Sequence, residues 1–411
     1  MALPAMERAH VPSMAGAMAV ARPRLVLLVP EDWDFWAHRI DLALAAVRAG
    51  FEVFVATRVA SHAARIRAAG LQVCPLRWLH RGVPGARDVA GIAEIVQLYR
   101  RLRPAVVHHV GVKPVVYGSW AARLARSPRV VNAIAGLGSS FISTATGAGL
   151  LRATMTRVLR SALATSDSRV IFQNRDDLDY FKNAGILGDT PALIIPGVGV
   201  DLELFRPSPE PTGVPVVMLA ARLVRDKGIV EFVSAARELR RRIEARFVLV
   251  GMLDHRNPTR ISAAQIEAWQ TEGVIEWWRH RDDMARTLRA ANLVVLPSYR
   301  EGFPKVLLEA AASGRAIVAT NVPGCREIVR HGENGYLVPA RDAVGLATAI
   351  EMLVQNPILR AEAGRRGRDL AVSEFSSGRI TDHTILIYRE LLSEQSMFAA
   401  HRQVAIFDQR S

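Results

Sequence analysis

Two acids and two cations are the side chains of this 411-residue chain whose types and places can do chemistry together: Glu301 and Glu309, with seven residues between them, and Arg222 and Lys227. Glu301 lies in the turn Ser298 to Gly302, which follows the apolar run Leu293 to Leu296 and precedes a helical pattern from about Pro304 to Ser313. Pro304 suits the first turn of such a helix and Gly314 suits the residue past its end. The free amides near Phe303 to Val306, with the positive end of the helix dipole, can hold a phosphate. A carboxylate beside a bound diphosphate would be repelled by it, so Glu301 implies a neutral, hydroxyl-rich partner such as a sugar. Glu309 reaches a second set of hydroxyls, those of a ribose. Taken alone, the pair also fits a first-turn acid favoured by the dipole plus a solvated glutamate.

Arg222 and Lys227 belong to ARLVRDKG, directly after the apolar run Val216 to Leu219. Cations at the carboxyl end of a strand and the start of the next helix can grip a diphosphate. They would also stabilise the charge that develops on it when a group departs. In isolation both read as surface cations; their coincidence with the two acids on one edge of the same predicted sheet favours the pocket.

The elements that must position these residues follow an alternation of short apolar runs and helical stretches. Leu25 to Val29, Glu52 to Ala56, Gln72 to Leu76, Ala105 to His108, Val130 to Ile134, Val170 to Phe172 and Leu193 to Ile195 read as strands. The proline- and glycine-rich segment Pro196 to Pro215 interrupts the pattern and reads as a linker. The alternation restarts with Val216 to Leu219, Phe247 to Val250, Val274 to Glu276, Leu293 to Leu296, Ala316 to Ala319 and Tyr336 to Val338. Such alternation predicts parallel sheets covered on both faces. The expectation is an α/β chain of two doubly wound domains, 1–205 and 206–376, facing a cleft. A helical tail from Ala343 to Leu392 follows, its last helix, about 377–392, returning to the N-terminal domain.

In the N-terminal domain, His108, His109 and Lys113 are expected to follow a strand and face the cleft. Either histidine orients a sugar or acceptor there, or packs as a strand-end residue. Gly136-Leu137-Gly138 admits close backbone approach to a ligand, or makes a tight turn without one.

Composition bounds the rest. Half the residues are hydrophobic, which suits a globular chain with a large core. Cys74 and Cys325 form no metal spacing or disulfide framework. No apolar run reaches the roughly 18 to 20 residues needed to cross a bilayer. Met1 to Ala21 lacks a clear apolar h-region, and Met6, Met14 and Met18 point to a ragged N-terminus or an early start codon. Residues 1–196 hold 24 Lys and Arg against 13 Asp and Glu, and the remainder 29 against 26. The basic half would attract anionic lipid, phosphorylated substrates or nucleic acid; no nucleic-acid motif or basic–aromatic interleaving supports the last. Candidate lipid contacts are Arg77 to Arg81, Arg100, Arg101, Arg103 and the stretch Leu150 to Leu163, which reads equally as an ordinary core helix. Asp176-Asp177 and Asp282-Asp283 read as first-turn helix acids, so no metal site is expected.

The motifs R-x-x-x-x-K-G at Arg222 to Gly228, E-G-F-P-K within the Glu301 to Glu309 spacing, and PGCREIVRHGENG at Pro323 to Gly335 resemble the GT4 family of retaining glycosyltransferases. They span about a quarter of the chain. RPAVVHHVGVKPVVYGSWAAR and VNAIAGLGSSF add a weaker likeness to the branch that builds lipid-linked polysaccharide and glycan precursors.

The resemblance implies a GT-B fold and transfer of a hexosyl or N-acetylhexosaminyl group, from a UDP-sugar by preference, to a polyprenyl-linked or other glycan acceptor in surface polysaccharide biosynthesis. It implies that Glu301 contacts the sugar hydroxyls, Glu309 the ribose, and Arg222 and Lys227 the diphosphate. Gly302, Phe303, Pro304, Lys305 and Val306 complete the donor site. With His109 added, Glu301, Arg222 and Lys227 are the expected catalytic set; His108, His109, Lys113, Gly136 and Gly138 are the expected acceptor side. Retention would follow a front-face route in which the leaving phosphate takes the acceptor proton, with no metal or other cofactor. The expected place is cytoplasmic, peripheral at the inner face of the plasma membrane, with oligomeric state open.

Two departures stand out. The loop PEDWDFWAHR has none of the glycines many relatives place there, and Arg279 occupies a usual glycine position at the edge of the base pocket. Competing readings are a soluble sucrose- or trehalose-type synthase, a nucleotide-sugar epimerase, and a catalytically silent subunit. The epimerase lacks the Glu301 and Glu309 spacing, and the intact charged set argues against a silent subunit.

Overall fold

The computed structural model describes residues 22–77, 86–127, 129–136, 148–163, 168–254 and 257–407. Seven parallel strands, β1 (Arg24–Glu31), β2 (Glu52–Arg58), β3 (Gln72–Pro75), β4 (Val106–Val110), β5 (Val130–Ile134), β6 (Ser168–Phe172) and β7 (Ala192–Ile194), form one sheet in the order β3-β2-β1-β4-β5-β6-β7. Six more, β8 (Val216–Ala220), β9 (Arg246–Val250), β10 (Glu276–Trp277), β11 (Leu293–Leu296), β12 (Ala316–Thr320) and β13 (Gly335–Val338), form a second in the order β10-β9-β8-β11-β12-β13. Each sheet reverses its strand order once, between β1 and β4 and between β8 and β11. There the connections leave toward opposite faces and a crevice opens beyond the strand ends.

The central strands are apolar at nearly every position because helices cover both faces. Every residue of β4, β5, β8, β11 and β12 is buried. Full burial of one Val, Leu or Ile contributes roughly 1.5–3 kcal/mol, so the sheets are the rigid frame on which the loops are hung.

Two strands differ from the expected ranges. The run read as Ala105 to His108 forms the ladder as Val106–Val110, which puts both histidines inside the strand. The run read as Val274 to Glu276 pairs only as Glu276–Trp277, while Val274 and Ile275 are buried in the core.

The chain crosses between its halves twice, and the crossings touch. Val200 N–H donates to Phe375 O, and Ser377 N–H donates to Val200 O, both at 2.9 Å. Helix Ser377–Phe407 begins there and runs back along the first sheet. Its Ile380, Ile385, Ile387, Tyr388 and Leu391 share a core with Leu25, Leu27, Phe51 and Val106. The Tyr388 hydroxyl meets His108 Nδ1 at 2.5 Å, and Arg129 Nε donates to Leu391 O at 2.7 Å.

Helix Ala148–Leu163 buries Leu159, Ala162 and Leu163 in the same half, so its C-terminal part is a core helix. Of the two readings of the stretch, those three residues follow the ordinary core helix and not an apolar face in a membrane interface. Of the candidate lipid contacts, residues 78–81 lie outside the described residues.

Tyr388 is the largest anchor of the returning helix that also bonds a sheet residue. Tyr388→Ala is expected to lower stability by about 3–5 kcal/mol, and Tyr388→Phe by about 1–3 kcal/mol, since it leaves the buried His108 Nδ1 without its partner; urea unfolding checks both.

Candidate active site

The second sheet brings Lys227 and Glu301 together across its switch point. After β8 the chain makes a 3-10 turn, Arg225–Lys227, then enters helix Ile229–Leu239 through Gly228 at φ 71°. A Cβ at Gly228 would lie 2.0 Å from Pro297 O, so only glycine lets this turn press against the end of β11. The Lys227 ammonium then reaches the Glu301 carboxylate and forms an ion pair with Oε1. Ser298 donates its hydroxyl to the same Oε1 at 2.6 Å. Glu301 Oε2 takes no hydrogen bond among the described residues, which leaves it open to a ligand hydroxyl. Tyr299 pins the loop by donating from N–H to Asp226 O at 2.9 Å and from its hydroxyl to Glu231 at 2.7 Å.

Helix Lys305–Ala312 starts immediately beyond. Pro304 is its N-cap residue rather than part of its first turn, and having no N–H it donates nothing to an anion. The first helical N–H groups, of Lys305 and Val306, lack intrahelical acceptors and are free to donate to one. Phe303 turns its ring away to pack edge-on against Phe375 at 5.7 Å.

Glu309 is buried at 7% exposure, and its nearest cation is Lys305 at 3.6 Å. Burial pushes its carboxyl up to about 7, against the opposing pull of Lys305. Lys305 in turn donates to Ala37 O of the N-terminal half at 2.8 Å.

The loop that carries Glu301 is held by the N-terminal half. Gly302 O accepts from Asn174 Nδ2 at 2.9 Å, and Arg300 pairs with the buried Asp177 at 2.8 Å. A Cβ at Gly302 would meet Ala135 O at 2.4 Å and the Gly136 Cα at 3.1 Å, so the two backbones touch with no side chain between them. Arg326 pairs with Asp176 at 2.7 Å, and Arg175 N–H donates to Glu327 at 3.0 Å. The end of helix Arg175–Asn183 is therefore a clasp on the loop, and its acids do more than complement the helix dipole.

Known proteins carry the same halves. The glycosyl transferase 4-like family matches residues 24–174, and the glycosyl transferases group 1 family matches residues 214–356. The chain belongs to the GT4-like glycosyltransferases. It is 26% identical over 354 residues to the N,N'-diacetylbacillosaminyl-diphospho-undecaprenol alpha-1,3-N-acetylgalactosaminyltransferase of Campylobacter jejuni, covering 83% of this chain and 92% of that one. It is 27% identical over 319 residues to the lipopolysaccharide core biosynthesis glycosyltransferase LpsE of Rhizobium meliloti, covering 75% and 87%. In fold it resembles the sucrose-phosphate synthase of Thermosynechococcus elongatus, at TM-score 0.75, 23% identity and coverage of 91% of this chain and 100% of that one. Anabaena HepE, solved with UDP and glucose, gives TM-score 0.75, 20% identity and coverage of 90% and 100%. The fold of this glycosyltransferase is GT-B.

Several expected residues of the transferase do not join the Lys227 and Glu301 cluster. Arg222 is about half exposed and pairs with Asp254 at 3.1 Å. Lys113 pairs with the buried Asp88 at 2.9 Å, on the helix side of β4. His109 is fully buried, its Nε2 3.0 Å from the Tyr99 hydroxyl and its Nδ1 2.8 Å from Asn132 Oδ1. With both ring nitrogens occupied and its pKa pushed down to about 4 by burial, His109 is a core residue and not a cleft base. The cause is the strand boundary: a residue inside β4 points into a face of the sheet, whereas one beyond it would point over the edge. Gly136 does reach the cleft, where its close approach is to Gly302; Gly138 lies outside the described residues. Arg279 adopts φ 57° and stacks its guanidinium over Trp277 at 4.7 Å. Among the described residues no group of three or more His, Cys, Asp or Glu is placed to hold a metal ion, and no helix is long and apolar enough to cross a membrane.

Sequence reasoning missed Ser298, Asn174 and Asp177. Ser298 stands in the quoted loop, and its spacing of three from Glu301 was the available signal. Nothing in the sequence pairs Asn174 and Asp177 with a loop more than 120 residues away.

The transferase should be sensitive to the charge of Glu309. A carboxyl whose folded pKa is raised stabilises the fold below its unfolded pKa, and that contribution is lost as pH rises through the folded value near 7. The melting temperature of Glu309→Gln relative to the wild type should therefore rise between pH 5 and pH 8; a constant difference across that range would show Glu309 to be ionised without cost.

Proposed function

We propose that the enzyme transfers a hexosyl or N-acetylhexosaminyl group from a UDP-sugar to a polyprenyl-linked or other glycan acceptor in surface polysaccharide biosynthesis, with retention at the anomeric carbon. The observation that carries the reading is the Lys227 and Glu301 pair at the β8–β11 switch point, beside the free amides of Lys305 and Val306. The C-terminal domain holds the donor, with Lys227 and those amides on the diphosphate, Glu301 on the sugar hydroxyls and Glu309 toward the ribose. Arg222 joins when it exchanges Asp254 for phosphate. The N-terminal domain presents the acceptor.

In the reaction the anomeric C–O bond to phosphate breaks and the acceptor oxygen bonds the same face of that carbon. The acceptor proton passes to the leaving phosphate, so no protein base is needed, in agreement with the buried state of His109. Lys227 and the helix amides stabilise the charge gathering on the leaving group. The chemistry asks for no metal. The printed names of the relatives support this reading: one acts on a diphospho-undecaprenol-linked sugar, another in lipopolysaccharide core synthesis, and a structural neighbour binds UDP.

Contact with an anionic leaflet at the inner face of the plasma membrane is part of the proposal. The basic N-terminal half supports it, with Arg87, Arg100, Arg101, Arg103 and Arg157 exposed.

Glu301→Gln and Lys227→Ala are each expected to lower donor turnover by roughly 10² or more, read as UDP release with or without acceptor; wild-type rates would refute the assignment. Pelleting of the full chain with phosphatidylglycerol vesicles should fall as salt rises, and indifference to lipid charge and salt would favour an acceptor free in solution.

A further inference from the structure

Between the first sheet, at β4, β5 and β6, and the returning helix Ser377–Phe407 lies a small pocket that none of the donor residues enters. The break between helices Asp32–His38 and Ile40–Arg48 turns Arg39 inward. Arg39 is 7% exposed, and its buried Nε has no hydrogen-bond partner among the described residues. His108, 1% exposed, lines the same pocket with an unpartnered Nε2, and Gln173, 7% exposed, lines it as well. In the tautomer where the Tyr388 hydroxyl donates to Nδ1, the neutral imidazole carries its proton on Nε2 and offers it to the pocket; an anion there selects that tautomer.

An unpaired buried guanidinium is costly, because desolvation is not offset by an anion or by acceptors. No acidic side chain lines this pocket. The nearest acid acting on Arg39, Asp34, lies beside His38 at 3.7 Å. The remaining walls are mostly apolar, with Thr381 and Thr384 of the returning helix closing one side. The pocket is therefore built for a small anion that the protein itself does not supply. Its rim faces the other half: Ala37 O takes Lys305, and Asn174, next to Gln173, takes Gly302 O.

We propose that this pocket receives one phosphoryl group of the acceptor, with Arg39 as its cation and His108 Nε2 and the Gln173 amide as further donors. The donor diphosphate is already provided for across the cleft, so a second phosphate on this side marks the acceptor as a phosphate-linked molecule and positions its sugar toward Glu301. The anion site stands on the geometry alone; its assignment to the acceptor deepens the transferase reading and rests on it.

Isothermal titration of the full chain with inorganic phosphate, with farnesyl diphosphate and with UDP separates these claims. Phosphate should bind in the presence of saturating UDP, and Lys227→Ala should weaken UDP without weakening phosphate. Arg39→Gln should weaken phosphate and farnesyl diphosphate by about tenfold or more, the loss expected for charged hydrogen bonds. Thr384→Met, which fills the pocket from the opposite wall, should do the same. Arg39→Met should melt no lower than wild type, since it removes an unpaired buried charge; a marked fall would make Arg39 a structural residue and overturn the proposal. Mutual exclusion of phosphate and UDP, or unchanged phosphate binding in Arg39→Gln, would overturn the anion site. Loss of phosphate alone, with farnesyl diphosphate bound as by wild type, would overturn the acceptor assignment. Failure of UDP to bind, with phosphate still lost in Arg39→Gln, would count against the transferase reading and leave the anion site standing.

Discussion

An ammonium and a carboxylate held in contact at the edge of a parallel sheet are the constraint on which the rest of this molecule turns. Lys227 arrives from the loop after β8 and Glu301 from the loop after β11, and they meet because the strand order reverses between those strands. The meeting needs a glycine at 228, where a Cβ would collide with Pro297 O, and a serine at 298 to share the carboxylate. In the resting enzyme each charge satisfies the other. In the proposed transfer a diphosphate would replace the acid on the cation and a sugar would replace the cation on the acid, so the site is assembled before it is filled.

The second constraint lies at the contact between the halves. Gly302 meets Gly136 backbone to backbone, and the Arg300–Asp177 and Arg326–Asp176 pairs flank that contact. The loop that carries Glu301 is thus fastened on both sides, from its own sheet by Tyr299 and from the opposite domain by the helix that Asn174 caps. Placement of the acid is a property of the closed pair of domains and of neither alone.

Much of this was legible in the sequence, and the reasons are physical. Buried parallel strands must be apolar on both faces, so β8, β11 and β12 announce themselves, and the residues just beyond them fall at the sheet edge whatever the rest of the chain does. That is why Lys227 and Glu301 could be placed together. His109 could not be placed so, because a shift of two residues in the end of β4 decides whether a side chain leads into the cleft or into the core. Arg222 fell to a different limit: a long, half-exposed side chain takes the nearest acid, here Asp254, and local spacing does not reveal which acid that will be. Arg39 carried no signal at all as part of PEDWDFWAHR, since its burial depends on a break between two helices and on a helix some 340 residues later.

The two chain crossings between the halves give the enzyme a hinge of a particular kind. Because Val200 is hydrogen-bonded to both Phe375 and Ser377, the linker and the returning segment cannot slide past one another, and they form a single axle. Any swing of one half against the other about that axle would be smallest near Ser377. Thr381 and Thr384 lie within two turns of the axle, so the wall they form would be among the parts that such a swing displaces least.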